Sequence, residues 1–308
     1  MKTTESQPVT ISATVNGQPV AVPAGATVLD ACRQAGVDLP TLCYGPTMTP
    51  ANACRVCVVE LEGSRTLVPS CSRELNDGMD IKTDTDRARH SRRLVMELLG
   101  SASELDRSGE DLQMWMEDAG AVPDRFGSPA QKTSRSAPTP GHHPPPDPSV
   151  AAGVHEPVKV EDDLYVRDYS RCILCYRCVD ACGVEHQNTF AIAVAGRGFD
   201  ARISTEFDFA LPDSACVYCG NCIAVCPTGA LVGKVEFDMR EQGTWDESTQ
   251  QVTRTVCSYC GVGCNLDVHT QDDSIVKVSS PHDHDVTLGN LCIKGRFGWS
   301  FVSSGLDG

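Results

Sequence analysis

Residues 216–228 read "CVYCGNCIAVCPT", and forty-four positions earlier residues 172–184 read "CILCYRCVDACGV". Both runs space their cysteines C-x2-C-x2-C-x3-C, and the later one ends in Cys226-Pro227. Three cysteines in so tight a turn can grip three irons of a cubane, but the fourth lies too far along to cap the same cluster. In two-cluster ferredoxins that fourth cysteine crosses to the other cluster. The spacing therefore predicts Cys172, Cys175 and Cys178 with Cys226 on one 4Fe–4S cluster, and Cys216, Cys219 and Cys222 with Cys182 on a second. A doubled run of this kind is a poor zinc pattern. Gly183 stands where the first run could have carried a proline, which affects the local turn and not the ligand number.

Outside these runs the cysteines are also grouped. All but one of the 17 fall into four sets of four, leaving Cys32 alone. Cys43, Cys54, Cys57 and Cys71 are spaced C-x10-C-x2-C-x13-C. Three loop cysteines with a distant fourth suit a 2Fe–2S cluster, where each iron takes two thiolates, although four thiolates also make a zinc site. The small hairpin-and-helix unit around them favours iron. The last set, Cys257, Cys260, Cys264 and Cys292, is spaced C-x2-C-x3-C-x27-C, which by itself fits zinc or a third 4Fe–4S cluster equally. Cys32, on a short helix, reads as a small buried hydrophobe.

The rest of the chain gives these sets a frame. Its 308 residues and low aromatic content (6%) fit several small cores better than one large one. The start, "MKTTESQPVT", lacks an apolar core of the secretory kind, and no run of about 18 apolar residues occurs. Thiols in such a chain are expected in a reducing cytoplasm, as metal ligands and not disulfides. A net charge of −15 argues against nucleic acid as a partner and permits docking to a basic protein surface.

Residues 9–22 alternate around Asn16-Gly17, a hairpin signal. A helix follows, with Thr27 as N-cap and Gly36 as stop, and then a second hairpin turning at Gly63. These make an α+β unit over residues 8–82. Residues 83–121 predict a helix from Asp86 to Leu99 and a shorter one near 110–118. Leu94, Val95, Leu98 and Leu99 form its apolar stripe, and Arg87, Arg89, Arg92 and Arg93 a solvated face. From 122 to 160 the composition turns to Pro, Ser, Ala and Gly, a linker in which His142 and His143 read as exposed. Residues 161–240 hold the doubled cysteine runs. Within 250–308, "NLDVHT" and "SIVKVSS" alternate as a hairpin.

The segment with "CSYCGVGC" and "GNLCIKGRFGW" resembles the N-terminal cluster domain of molybdenum or tungsten bis-pterin oxidoreductases, formate dehydrogenases in particular. With "VRDYSRCILCYRC", "AGRGFD" and "CVYCGNCIAVCPTGAL", the chain resembles the N-terminal third of the catalytic subunit of NAD-linked formate dehydrogenases. Its first unit is similar to that of the complex I large iron–sulfur subunit and of the soluble hydrogenase diaphorase iron–sulfur subunit. The resemblance implies an α+β, multidomain chain. In order come a β-grasp 2Fe–2S ferredoxin-like domain, a short helical segment, a two-cluster 4Fe–4S ferredoxin-like domain and a small β-rich 4Fe–4S domain of the molybdopterin oxidoreductase type. It implies one 2Fe–2S and three 4Fe–4S clusters, the third on Cys257, Cys260, Cys264 and Cys292. It also implies that Lys294 lies on the electron path toward a partner's pterin.

Two departures qualify it. The family carries a further cluster on one histidine and three cysteines, but Ser103 and Arg107 stand at two of those positions, and no cysteine occurs between Cys71 and Cys172. Losing that station would leave a gap between the 2Fe–2S unit and the paired cubanes. The pterin domains also lie outside these residues, so formate oxidation is not expected of them. The resemblance implies a non-catalytic electron-transfer subunit. Its partners would be a molybdenum or tungsten pterin catalytic subunit and a flavin-containing NAD reductase subunit. The alternatives are a fragment of the formate dehydrogenase catalytic subunit, an electron-transfer subunit of a hydrogenase or complex I-like NADH dehydrogenase, and a zinc-binding interaction module.

Overall fold

The computed structural model describes residues 9–127, 133–134, 154–155, 157–198, 201–299 and 301–302. Strands β1 (Thr10–Val15) and β2 (Gln18–Pro23) pair antiparallel through Asn16 and Gly17, at φ 51° and 83°. Two left-handed residues give the turn the twist that a two-residue hairpin needs. Helix α1 (Val28–Gln34) begins in a capping box. The Asp30 amide donates to Thr27 Oγ1 at 3.2 Å, and Asp30 Oδ2 accepts from the Thr27 amide at 2.8 Å. Gly36, at φ 74°, follows its end. β3 (Val58–Leu61) and β4 (Val68–Pro69) form the second hairpin.

A fifth strand, β5 (Asp80–Lys82), lies parallel to β1 and antiparallel to β3, giving the order β2-β1-β5-β3-β4. Three residues are too few to show alternation, and parallel pairing depends on a partner distant in sequence. Val15, Leu29, Val59, Leu75 and Ile81 make the core beneath this sheet. Cys32 is wholly inside that core, and burial pushes its thiol up to about 11.

Helix α2 (Asp86–Ala102), capped by Thr85, runs past the expected end at Leu99. A Cβ on Gly100 would stand 2.8 Å from Pro123, so a glycine there admits the returning chain. The buried stripe also differs from expectation. Met96 and Glu97 are inside, while Leu98 is 46% exposed. Glu97 is tolerated because it accepts from Arg125 Nη1 at 2.6 Å. Arg92 departs from the solvated face: its guanidinium donates to the carbonyls of Val58 (2.9 Å) and Thr83, tying α2 to the sheet. Helix α3 (Glu110–Asp118) packs Leu112 and Met116 against Met96 and Leu105.

In the Pro-rich stretch, β6 (Thr133–Ser134) pairs parallel with β7 (Val154–His155); His142 and His143 lie outside the described residues. The next unit sets β8 (Lys159–Val160) and β12 (Leu231–Gly233) on either side of β9 (Tyr165–Arg167). Between β9 and β12 come α4 (Arg177–Cys182), the β10–β11 ribbon (Ala193–Ala195, Arg202–Ser204) and α5 (Asn221–Ala224). After α6 (Lys234–Glu241), a meander β13-β14-β15 (Gln251–Val256, Asn265–Gln271, Ser274–Ser279) leads to α7 (Ile293–Phe297). The sequence pattern does not foretell β13; every residue of it is exposed, so burial leaves no alternation to read. The chain is α+β and built of small separate sheets, and among the described residues no helix is long and apolar enough to cross a membrane.

Thr27→Ala removes the hydroxyl of the capping box. The expected cost is about 1 kcal/mol, visible as a lower denaturation midpoint at unchanged slope by circular dichroism.

Candidate metal centres

The loop from Cys43 to Cys57 carries Asn52 and Arg55 in left-handed conformations. It returns the chain so that Cys43 meets Cys54, whose amide is 3.5 Å from the Cys43 sulfur. Cys57, entering β3, meets Cys71 just beyond β4 at 3.4 Å between sulfurs. The four thus close as two pairs, the division that a two-iron cluster needs. In each pair one thiol donates to the other. Cys43 is held down to about 6 by Cys54, and Cys57 to about 6 by Cys71, while Cys54 and Cys71 are driven far up by the same contacts. Among the described residues no three metal-ligating side chains gather about a single ion.

The doubled runs fold alike. Leu174 and Tyr218 take left-handed φ values of 51° and 56°, and their amides each donate at 3.4 Å to the sulfur two residues back, Cys172 and Cys216. Tyr176 and Gly220 are also left-handed and start α4 and α5. These turns point successive sulfurs to one side. Cys172, Cys175, Cys178 and Cys226 line one enclosed cavity with Tyr169 and Ile203. Burial raises the thiol of Cys178 well above its ordinary value, and Cys226, Cys175 and Cys172 add to the rise. Cys175 is pushed up to about 12 by burial, again with Cys226 beside it. Cys216, Cys219 and Cys222 are raised by burial too, and each faces Cys182. The Cys182 sulfur accepts from the Ala191 amide at 3.2 Å. Each triplet therefore meets the fourth cysteine of the other run, the arrangement that two interlocked cubanes require.

Cys257, Cys260, Cys264 and Cys292 come together where β13 gives way to β14 and α7 begins. The Cys257 amide donates to the Cys264 carbonyl at 2.8 Å, and Cys264 is raised by burial and by Cys257, Cys292 and Cys260. Cys257 is buried, while Cys260 and Cys292 are exposed. Lys294, two residues on, is exposed as well.

At the degenerate station, polar contacts stand in for ligands. Ser103 Oγ donates to the Cys172 carbonyl at 3.1 Å, and Arg107 pairs with Glu241. Arg171 nearby bridges Asp168 (2.8 Å), Asp106 and Glu104. His186 Nε2 lies 3.2 Å from the Thr47 carbonyl, and Met48 packs against Ala181 and Val225, so the first unit sits directly on the paired-run unit.

Sequence reasoning passes over Arg177 and Arg296. Arg296 is buried and Arg177 half-buried, each beside thiols, and a signal for them is present. The two runs differ in the pair before the third cysteine, Tyr176-Arg177 against Gly220-Asn221.

Comparisons with known proteins agree with this layout. Residues 7–86 match the 2Fe-2S iron-sulfur cluster binding domain, 163–232 the ferredoxin-like domain of NADH-quinone oxidoreductase subunit 3, and 250–304 the molybdopterin oxidoreductase Fe4S4 domain. An NADH-quinone oxidoreductase subunit of Rhizobium meliloti is 32% identical over 96% of this chain and 32% of its own length. The alpha subunit of the NADPH-Fe(3+) oxidoreductase of Geobacter sulfurreducens has the same identity and coverage. The HndD subunit of the NADP-reducing hydrogenase of Solidesulfovibrio fructosivorans is 36% identical over 72% of this chain and 36% of its own. A putative formate dehydrogenase of Staphylococcus haemolyticus is 25% identical over 94% of this chain and 31% of its own. The chain spans about a third of the length of these relatives. The crystal structure of an NAD+-reducing [NiFe]-hydrogenase in the H2-reduced state shares the fold, with a TM-score of 0.53 at 24% identity, covering 73% of this chain and 87% of that one.

Crossed ligation makes a specific prediction. Cys226→Ser alone and Cys226→Ser with Cys172→Ser should lose the same roughly four irons, whereas Cys226→Ser with Cys216→Ser should lose about twice as many. Iron analysis of anaerobic protein decides; the reverse pattern would mean uncrossed sets. By domain content and order, this chain is an iron–sulfur portion of the type shared by the NADH-quinone oxidoreductase subunit above and its hydrogenase and formate dehydrogenase-like relatives.

Proposed function

We propose that the chain is an electron relay holding one 2Fe–2S cluster (Cys43, Cys54, Cys57, Cys71) and three 4Fe–4S clusters. Those three sit on Cys172, Cys175, Cys178 and Cys226; on Cys182, Cys216, Cys219 and Cys222; and on Cys257, Cys260, Cys264 and Cys292. The observation that carries the reading is the direct seating of each cysteine-bearing unit on the next, with Arg177 facing both Cys43 and Cys175. Electron transfer falls steeply with distance, so packed units need no additional station where Ser103 and Arg107 stand.

When bound, the clusters supply one-electron chemistry; the chain's own residues hold, space and bury them. Cys260, Cys292 and Lys294 form an exposed end, suited to receiving electrons from a molybdenum or tungsten pterin unit that oxidises formate. The other end, at the 2Fe–2S unit, would hand them to a flavin-containing NAD reductase in the cytoplasm. The match of residues 250–304 to the molybdopterin oxidoreductase domain supports the pterin side. The similarity to HndD supports a second reading, a subunit that serves a hydrogenase. The units proposed are 8–82, 83–121, 122–160, 161–240 and 250–308.

Anaerobic purification should yield about 14 irons per chain with matching sulfide. Two or fewer clusters would defeat the relay. Affinity capture from the native host should recover a pterin protein and a flavoprotein; recovery of a nickel–iron subunit instead would favour the hydrogenase reading.

A further inference from the structure

The two doubled runs are near copies in sequence, yet each receives a guanidinium by a different route. In the first run the cation is built in: Arg177 precedes Cys178 and reaches across to the 2Fe–2S unit, where its Nη2 lies 3.0 Å from the point a Cβ on Gly45 would occupy. In the second run the corresponding residue is Asn221, and the cation comes from α7. Arg296, 5% exposed, donates from Nε to the Cys219 carbonyl at 2.9 Å and from Nη2 to Asn221 Oδ1 at 3.3 Å. The same Asn221 oxygen accepts the Leu291 amide at 3.1 Å. A Cβ on Gly220 would stand 2.1 Å from Arg296 Cδ, so that residue must be glycine for the side chain to pass. Tyr176, at the same place in the first run, keeps the left-handed conformation with a full side chain.

Neither arginine has a carboxylate partner among the described residues. The groups that face Arg177 are the thiols of Cys175, Cys226, Cys43 and Cys178. Those facing Arg296 are Cys219 and Cys222, with the Tyr165 phenol behind them. Burial works against the charge on both. Arg296 is buried outright, and Arg177 is half-buried with its Nε wholly inside and without a hydrogen bond; cations so placed persist in proteins only when paired. The partner on offer to each is the ligand set of its cubane, because a 4Fe–4S cluster with its four thiolates would carry net negative charge.

We infer that Arg177 and Arg296 are the counter-charges of the two cubanes, and that each raises the reduction potential of its own cluster while clamping a neighbouring unit onto it. This rests on the ligand assignment above. Reduction adds one electron to a cluster, supplied by an adjacent reduced iron–sulfur centre, and no proton; the added negative charge is stabilised by a fixed cation nearby. The cation of the first cubane sits at its seam with the 2Fe–2S unit, and that of the second at its seam with the C-terminal unit. Potential and docking are thereby set by the same side chains.

The test is a mediated redox titration, followed by EPR, of the 308-residue chain and its Arg177→Gln, Arg296→Gln, Arg177→Lys and Arg296→Lys variants. Each glutamine variant should weaken reduction of one 4Fe–4S centre on the order of tenfold, about 59 mV for one electron, with the other centres unmoved. The two variants should affect different centres, and each lysine variant should recover most of the shift. Loss of about four irons in a glutamine variant but not in its lysine counterpart would support the same role. Full iron with unchanged potentials, or equal losses in glutamine and lysine variants, would overturn it. Wild-type protein lacking the paired 4Fe–4S signals would instead defeat the ligand assignment itself, and the inference with it.

Discussion

Cys175 and Cys178 lie buried in one cavity, Cys222 is half-buried in the neighbouring set, and removal from water raises each thiol well above its ordinary value. Thiols that resist ionisation in the apolar interior become stable thiolates only when a cation neutralises them. The chain meets that condition with very little hydrophobic material. The paired-run unit has a buried core of few side chains, among them Tyr165, Ile203 and Leu211, with the cysteines themselves packed against it. Small cores of this kind seldom suffice alone, and metal closure is a recognised substitute. On the proposed ligation, the four cysteine sets would be structural centres as much as redox sites.

The units are joined by few but specific contacts. Gly45 and Gly220 lack side chains where Arg177 and Arg296 cross from one unit to the next. Tyr165 meets Tyr218 at 5.7 Å and Phe297 at 5.3 Å between ring centroids, so one ring of β9 bridges the second cysteine run and α7. Where the resembled family would carry another cluster, Ser103 and the Arg171 network hold the helical segment to the paired-run unit. Hydrogen bonds and ion pairs occupy the place of that station, and the 2Fe–2S unit still packs on its neighbour.

Much of the local structure is legible in the sequence. Asn16-Gly17 specifies its hairpin because both turn residues must be left-handed, and Thr27 specifies the start of α1 through its hydroxyl. The cysteine spacing locates the turns, since a sulfur two residues behind an amide can accept from it only in a tight loop. The segment from Arg87 to Leu99 is less legible. Its arginines look solvated in one dimension, but Arg92 finds the Val58 and Thr83 carbonyls, and Glu97 is buried because Arg125 comes back to meet it. No helical periodicity encodes a partner that arrives from elsewhere in the chain.

The sequence alone determined where the cysteine runs lie and how they are spaced, because spacing limits what a short loop can reach. Only the tertiary structure decided what surrounds the sets. β5 enters between β1 and β3, and α7 delivers Arg296 to a cysteine run 77 residues away in the chain. Ligand spacing is a local property of the backbone. The placement of a buried charge depends on where the rest of the chain leaves room for it, and here a glycine facing each arginine leaves that room.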